Sequence, residues 1–176
     1  MKTIFPVISI FALLTFACNG QSDVHSGQKV KWMSFEEAVK ANQAQPKKIL
    51  IDVYTDWCGW CKKMDATTFM NDSVSKYLNE KYYSVKLDAE MKDSVVYNGY
   101  VFKYKPEYKC NELAMSLLQG KMSYPTFVVM DEKFNLLSPV PGYKSVSEIM
   151  PVLKYFGENT YLNQSWEDFA KSIKPE

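Results

Sequence analysis

The sequence predicts a mixed α/β domain, on three observations. Short β-rich apolar runs alternate with capped, amphipathic stretches through the first half of the chain, as parallel strands joined by helices do. Two later apolar runs, at 126–130 and 135–140, sit on either side of a short charged turn and so pair locally. A last long stretch with helical periodicity, at 145–156, follows them. At 176 residues, 47% apolar and 23% charged, the chain suits one domain with a full core.

Each element has a local cause. Ser34-Phe35-Glu36-Glu37 is a capping box that opens a helix with Phe35, Ala38 and Val39 inward, and Pro46 ends that unit. Residues 48–54, KILIDVY, read as a buried strand. A turn leads to Cys58 and a helix running through Met64. Asn71-Asp72-Ser73 separates this from a second helix through Tyr77 and Leu78, and Tyr83, Val85 and Leu87 alternate as a strand. Residues 95–104, VVYNGYVFKY, form a hairpin because Asn98-Gly99 suits a two-residue turn. A short helix at 111–120 stops at Gly120. The helix at 145–156 has its own capping box and Gly157 at its end, and residues 165–173 make a final short helix carrying Trp166 and Phe169. The expected architecture is a central mixed sheet flanked by helices, with an insert at about 91–120 and a C-terminal extension at 158–176.

Ahead of the domain, residues 1–17, MKTIFPVISIFALLTFA, place one lysine before an apolar run ending in small residues. That is a signal-peptide pattern, and the run is short for a transmembrane helix, which needs ~20 apolar residues. Residues 13–18, LLTFAC, resemble the bacterial lipoprotein box, in which the cysteine, here Cys18, becomes the lipidated first residue. Thr15 stands where that box usually has leucine, and Phe16 is bulky. Cleavage after Gly20 by an ordinary signal peptidase is the alternative. Both readings export the protein, to the periplasm, with lipidation adding a membrane anchor. Residues 18–29 are a polar tether and 30–176 the domain proper.

Composition excludes several functions. The net charge is +1, so no nucleic-acid partner is expected. All 21 basic residues are lysines, which removes the bidentate arginine clamp of phosphate chemistry. No glycine-rich phosphate loop and no nucleotide or flavin motif is present. Aromatics reach 15%, which fits either a rigid core or a sticky peptide-binding surface.

The chemistry points to Cys58-Gly59-Trp60-Cys61. A cysteine at a helix start meets unpaired N–H groups and the positive end of the helix dipole, which favour thiolate over thiol. Only the thiolate attacks a disulfide. The second sulfur, one turn deeper, can close on the first, so Cys58 attacks and Cys61 resolves. Gly59 would allow a tight entry, and Trp60 would shield one side. Half a zinc site is the competing reading, but zinc needs four ligands, and only Cys18, Cys110 and His25 remain. No metal is expected. Lys62 stands where a c-type haem motif needs histidine.

Residues 49–62, ILIDVYTDWCGWCK, closely resemble the active-site strand and helix of the thioredoxin superfamily. They carry Trp57 before the first cysteine, Gly59 after it and Asp52 six residues ahead of it. The segment that follows is similar to exported thioredoxin-like proteins related to the C-terminal domain of the bacterial transmembrane disulfide reductase. Tyr124-Pro125-Thr126 matches the family's cis-proline loop, and Pro141-Gly142-Tyr143 its closing turn. The resemblance covers about residues 30–156.

It implies a thioredoxin-like fold and a thiol–disulfide oxidoreductase with no cofactor beyond the Cys58–Cys61 couple. Its substrates would be disulfide-bonded proteins, and a membrane thiol reductase would supply electrons. Asp52, buried in an apolar strand with its pKa raised, would take the proton of Cys61. Pro125 in cis would set the Tyr124 backbone beside Cys58, to pair with an extended substrate. Lys62 and Lys63 could help hold the thiolate, or merely solvate the helix surface. Thioredoxins have Gly-Pro between the cysteines and strong oxidants have Pro-His. Gly-Trp lacks the histidine that makes an oxidant, which points to a reductant or moderate exchanger. The alternatives are a disulfide oxidase or isomerase, and a binding protein with a non-catalytic pair. Cys110, in the insert, is a small buried hydrophobe or an accessory redox residue. The insert itself is a structural flap or a partner-selecting edge.

Overall fold

The computed structural model describes residues 29–173. The expected signal segment, Cys18 and the tether up to residue 28 lie outside them. In chain order the elements are β1 (Trp32–Met33), α1 (Phe35–Ala44), β2 (Lys48–Tyr54), α2 (Gly59–Ala66), α3 (Asp72–Lys81), β3 (Tyr82–Asp88), β4 (Val95–Tyr97) and β5 (Tyr100–Phe102). Then follow β6 (Tyr104–Lys105), β7 (Cys110–Asn111), α4 (Glu112–Leu117), β8 (Thr126–Met130), β9 (Leu136–Pro141), α5 (Val146–Gly157), a 3-10 turn (Thr160–Leu162) and α6 (Trp166–Ser172). No helix among the described residues is long and apolar enough to cross a membrane.

A five-stranded sheet in the order β1-β3-β2-β8-β9 is the frame. β1, β3 and β2 run parallel, and β8 and β9 antiparallel, which is the mixed sheet expected. Side chains alternate across a strand, so β2 divides its residues between two cores. Ile49, Ile51 and Val53 meet Phe35, Ala38 and the insert on one face. Leu50 meets Met64, Phe69, Phe127, Ile149 and Leu153 on the other. Lys48, at the end of that second row, is buried but held by Glu132 (2.7 Å) and Asn159 (2.6 Å).

The Ser34 capping box forms as expected, and Asn98 and Gly99 carry the left-handed φ (48° and 76°) of the hairpin turn. On α1, Asn42 rather than Val39 joins Phe35 and Ala38 as a buried residue; its side chain reaches the Glu132 carbonyl and the Lys47 N–H. Gly157 ends α5 as expected, and the left-handed φ of 61° falls two residues later, on Asn159. An added Cβ at 157 would lie 2.8 Å from the Tyr77 hydroxyl, so any larger residue there makes that ring shift.

The insert packs on the first core. Val95 is buried in it, and Tyr97 and Phe102 lean against it. Asn111 is the hub. Its Oδ1 caps α4 at the Leu113 N–H (2.9 Å), its Nδ2 donates to the Asp93 carbonyl (3.0 Å), and its own N–H donates to the Ala89 carbonyl (2.7 Å). Asn111→Ala is expected to destabilise the protein by about 1–2 kcal/mol, through a lost cap and a lost hydrogen bond to the Asp93 carbonyl. Chemical denaturation checks this, and a change under 0.5 kcal/mol would refute the hub role.

Candidate active site

The loop after β2 turns sharply, with the Cys58 N–H donating to the Thr55 carbonyl (3.1 Å). Cys58 thereby becomes the N-cap of α2, and its Sγ accepts the Cys61 N–H at 3.1 Å. Cys58 and Cys61 are joined by a disulfide with a Cα–Cα distance of 5.3 Å. Both cysteines are buried, whereas Trp57 is 67% and Trp60 57% exposed. The disulfide therefore lies low between two outward rings. Gly59 departs from its expected role: its φ is not positive, and an added Cβ would meet nothing within 4 Å. The tight entry is made by the Cys58–Thr55 hydrogen bond.

Trp57 packs edge-on against Tyr124 at 5.8 Å, and its Nε1 donates to Glu90 (3.0 Å). This brings the expected Tyr124-Pro125-Thr126 loop to Trp57, the residue before Cys58, and the Tyr124–Pro125 bond is cis. Thr126 is buried and anchors the loop by donating to the Ser123 carbonyl (2.8 Å). The Pro125 carbonyl accepts the Gly142 N–H (2.8 Å), tying in the turn that carries Tyr143. Among the described residues the Tyr124 N–H and C=O have no hydrogen-bond partner. Burial first, and then Cys110, Glu90 and Asp88, push the Tyr124 hydroxyl up to about 12, so it stays protonated. On the other side Trp60 packs against Tyr143 at 5.5 Å.

Beneath α2, Asp52 is 2% exposed. Its Oδ2 accepts from Lys86 at 2.6 Å, while Oδ1 has no partner among the described residues. Burial raises the Asp52 carboxyl; Lys86 opposes this and Asp65 adds to it. Lys86 also donates to Asp65 of α2 (2.5 Å) and lies over the rings of Tyr54 (4.9 Å) and Trp32 (5.0 Å). Burial works against its charge, but the two carboxylates outweigh burial and raise its pKa.

Sequence reasoning missed Lys86 and Asp65. Asp65 stands four residues after Cys61, one helical turn on the same face, which is a usable signal. Lys86 lies on the strand row opposite Val85 and Leu87, and only the Asp52–Lys86 register reveals it. Cys110 is a free, buried thiol, and burial raises its pKa ahead of Glu107 and Glu90. It has the character of a small buried hydrophobe rather than a nucleophile.

The comparisons with known proteins agree with this geometry. The family model Thioredox_DsbH, described as a protein of unknown function (DUF255), matches residues 21–104. An uncharacterized protein of Archaeoglobus fulgidus is 30% identical over 91 residues, covering 51% of this chain and 68% of that protein. The chain belongs to the DsbH-type thioredoxin-like family. The solved structure of a DsbH oxidoreductase has the same fold as this DsbH-type chain, with a TM-score of 0.57 at 16% identity over 85% of this chain and 95% of that one. The thiol:disulfide interchange protein DsbD of Actinobacillus pleuropneumoniae is 28% identical over 114 residues, 55% of this chain but 19% of DsbD. The chain thus has the thioredoxin-like fold of disulfide oxidoreductases, with a C-x-x-C pair at Cys58 and Cys61.

Proposed function

We propose that this protein is an exported thiol–disulfide oxidoreductase that reduces or exchanges disulfides in extracytoplasmic proteins. The observation that carries the reading is the Cys58–Cys61 disulfide at the start of α2, beside a cis-proline loop whose Tyr124 backbone is unpaired among the described residues. In the reduced protein the Cys58 thiolate attacks one sulfur of a substrate disulfide. A mixed disulfide forms and the other substrate sulfur leaves as a thiolate, which takes a proton from solvent. An extended substrate segment pairs with the Tyr124 backbone during this step. Asp52 then accepts the Cys61 proton, and the Cys61 thiolate attacks Cys58 Sγ. The second substrate thiolate leaves, and the protein holds the two electrons' oxidation as Cys58–Cys61. A membrane thiol reductase returns it to the dithiol.

Export rests on residues 1–17, and a lipid anchor on Cys18. The absence of histidine between the cysteines supports the reducing direction. The test is the reduction potential of the couple against a glutathione series. The expected value lies near thioredoxin's, about −270 mV. A value near −120 mV, roughly that of the strong oxidants, would instead assign disulfide formation. No reversible two-electron couple would leave only a binding role.

A further inference from the structure

The two exposed tryptophans differ in the charge they hold. Glu90 accepts the Trp57 indole N–H at 3.0 Å. Asp88 stands next to it, its Oδ1 accepting the Glu90 N–H (2.9 Å). Burial pushes the Asp88 carboxyl up, and the Glu90 N–H works against this. Lys92 lies on this side too, with its ammonium over the Tyr104 ring at 3.1 Å. On the other wall the Lys63 ammonium stands 4.7 Å from the Trp60 ring centroid and 5.3 Å from that of Tyr143. Among the described residues neither Glu90 nor Lys63 has an oppositely charged partner within salt-bridge reach. The rings hold each charge in place without neutralising it.

We infer that the groove over the disulfide is electrically polarised, with Glu90 at the Trp57 wall and Lys63 at the Trp60 wall selecting extended substrate segments that carry a basic residue on one side of the reacting cysteine and an acidic residue on the other. The inference rests on the proposed activity. A flanking cation meets Glu90 and Asp88, a flanking anion meets Lys63, and the aromatic rings cover the apolar part of the segment between them. Reversing the segment's charge order turns both attractions into repulsions.

The test uses the full chain, pre-reduced, in single turnover against two homodimeric peptide disulfides of identical composition, Lys-Lys-Ala-Cys-Ala-Glu-Glu and Glu-Glu-Ala-Cys-Ala-Lys-Lys. Each turnover consumes the two Cys58 and Cys61 thiols and yields two peptide thiols. One peptide is expected to react at least about fivefold faster at low ionic strength, the difference shrinking toward unity at high salt. Lys63→Gln and Glu90→Gln, the latter keeping an acceptor for Trp57, are each expected to shrink it too. Equal rates for the two peptides, in a protein that reduces both, would overturn the polarised groove and leave the oxidoreductase standing. Failure to reduce either peptide, or glutathione disulfide, would overturn the activity and the inference with it.

Discussion

Cys58→Ser is expected to abolish disulfide reduction, by on the order of a thousandfold or more, because a serine hydroxyl at neutral pH is no substitute for the thiolate. Cys61→Ser is expected to behave differently. Its Cys58 still attacks, but nothing displaces the substrate, so a covalent protein–substrate disulfide accumulates. Mass spectrometry after acid quenching separates the two, with an adduct for Cys61→Ser and none for Cys58→Ser. Cys110 is the internal control. It is buried with its thiol pushed up in pKa, so it does not rescue either variant. The oxidised wild type loses a short cross-link in both variants, worth about 2 kcal/mol in the loop-entropy account, so stability is compared with the reduced wild type. Undiminished turnover in Cys58→Ser would end the nucleophile assignment.

The parts of this protein that the sequence reveals are those with local causes. The strand at 48–54 was bounded by its apolar run and matches β2. The capping boxes at Ser34 and Ser145 marked both helix starts, and Asn98-Gly99 marked the hairpin. What stayed hidden has non-local causes. β1 is only two residues long and exists because Trp32 and Met33 find Ser84 and Val85. β6 and β7 owe their pairing to a chain path pinned through the Asn111–Ala89 bond. Asp52 was conspicuous as a lone acid in an apolar run, but its partner arrives through inter-strand register. The cis bond before Pro125 came from family resemblance and has no local signature. Gly157 marks the end of α5 in the sequence, but the Tyr77 hydroxyl close to its Cα is a contact made across the fold that only the structure reveals.

Asp52→Asn is expected to slow turnover on the order of tenfold to a hundredfold above neutral pH, because Cys61 then loses its proton acceptor. The pH profile identifies this loss as chemical. Asp52 is raised chiefly by burial, so its base form is lost as pH falls through a pKa above the ordinary carboxylate range. The wild-type rate should therefore carry an acid limb there, and the asparagine variant should lack it. Stability moves the other way. With the folded pKa above the unfolded one, the native state binds more protons than the unfolded state between the two values. Stability is thus fully present below the unfolded pKa and declines as pH rises through the folded one. Asparagine removes that decline, so the gap in stability between the variant and the wild type should move in the variant's favour as pH rises. Lys86 and Asp65 give the assignment a sign. Lys86 lowers the Asp52 pKa and Asp65 raises it. Asp65→Asn should therefore move the acid limb to lower pH, and Lys86→Met should move it higher. An acid limb that stays put in all three variants would show that Asp52 is a buried structural charge and that Cys61 loses its proton to solvent.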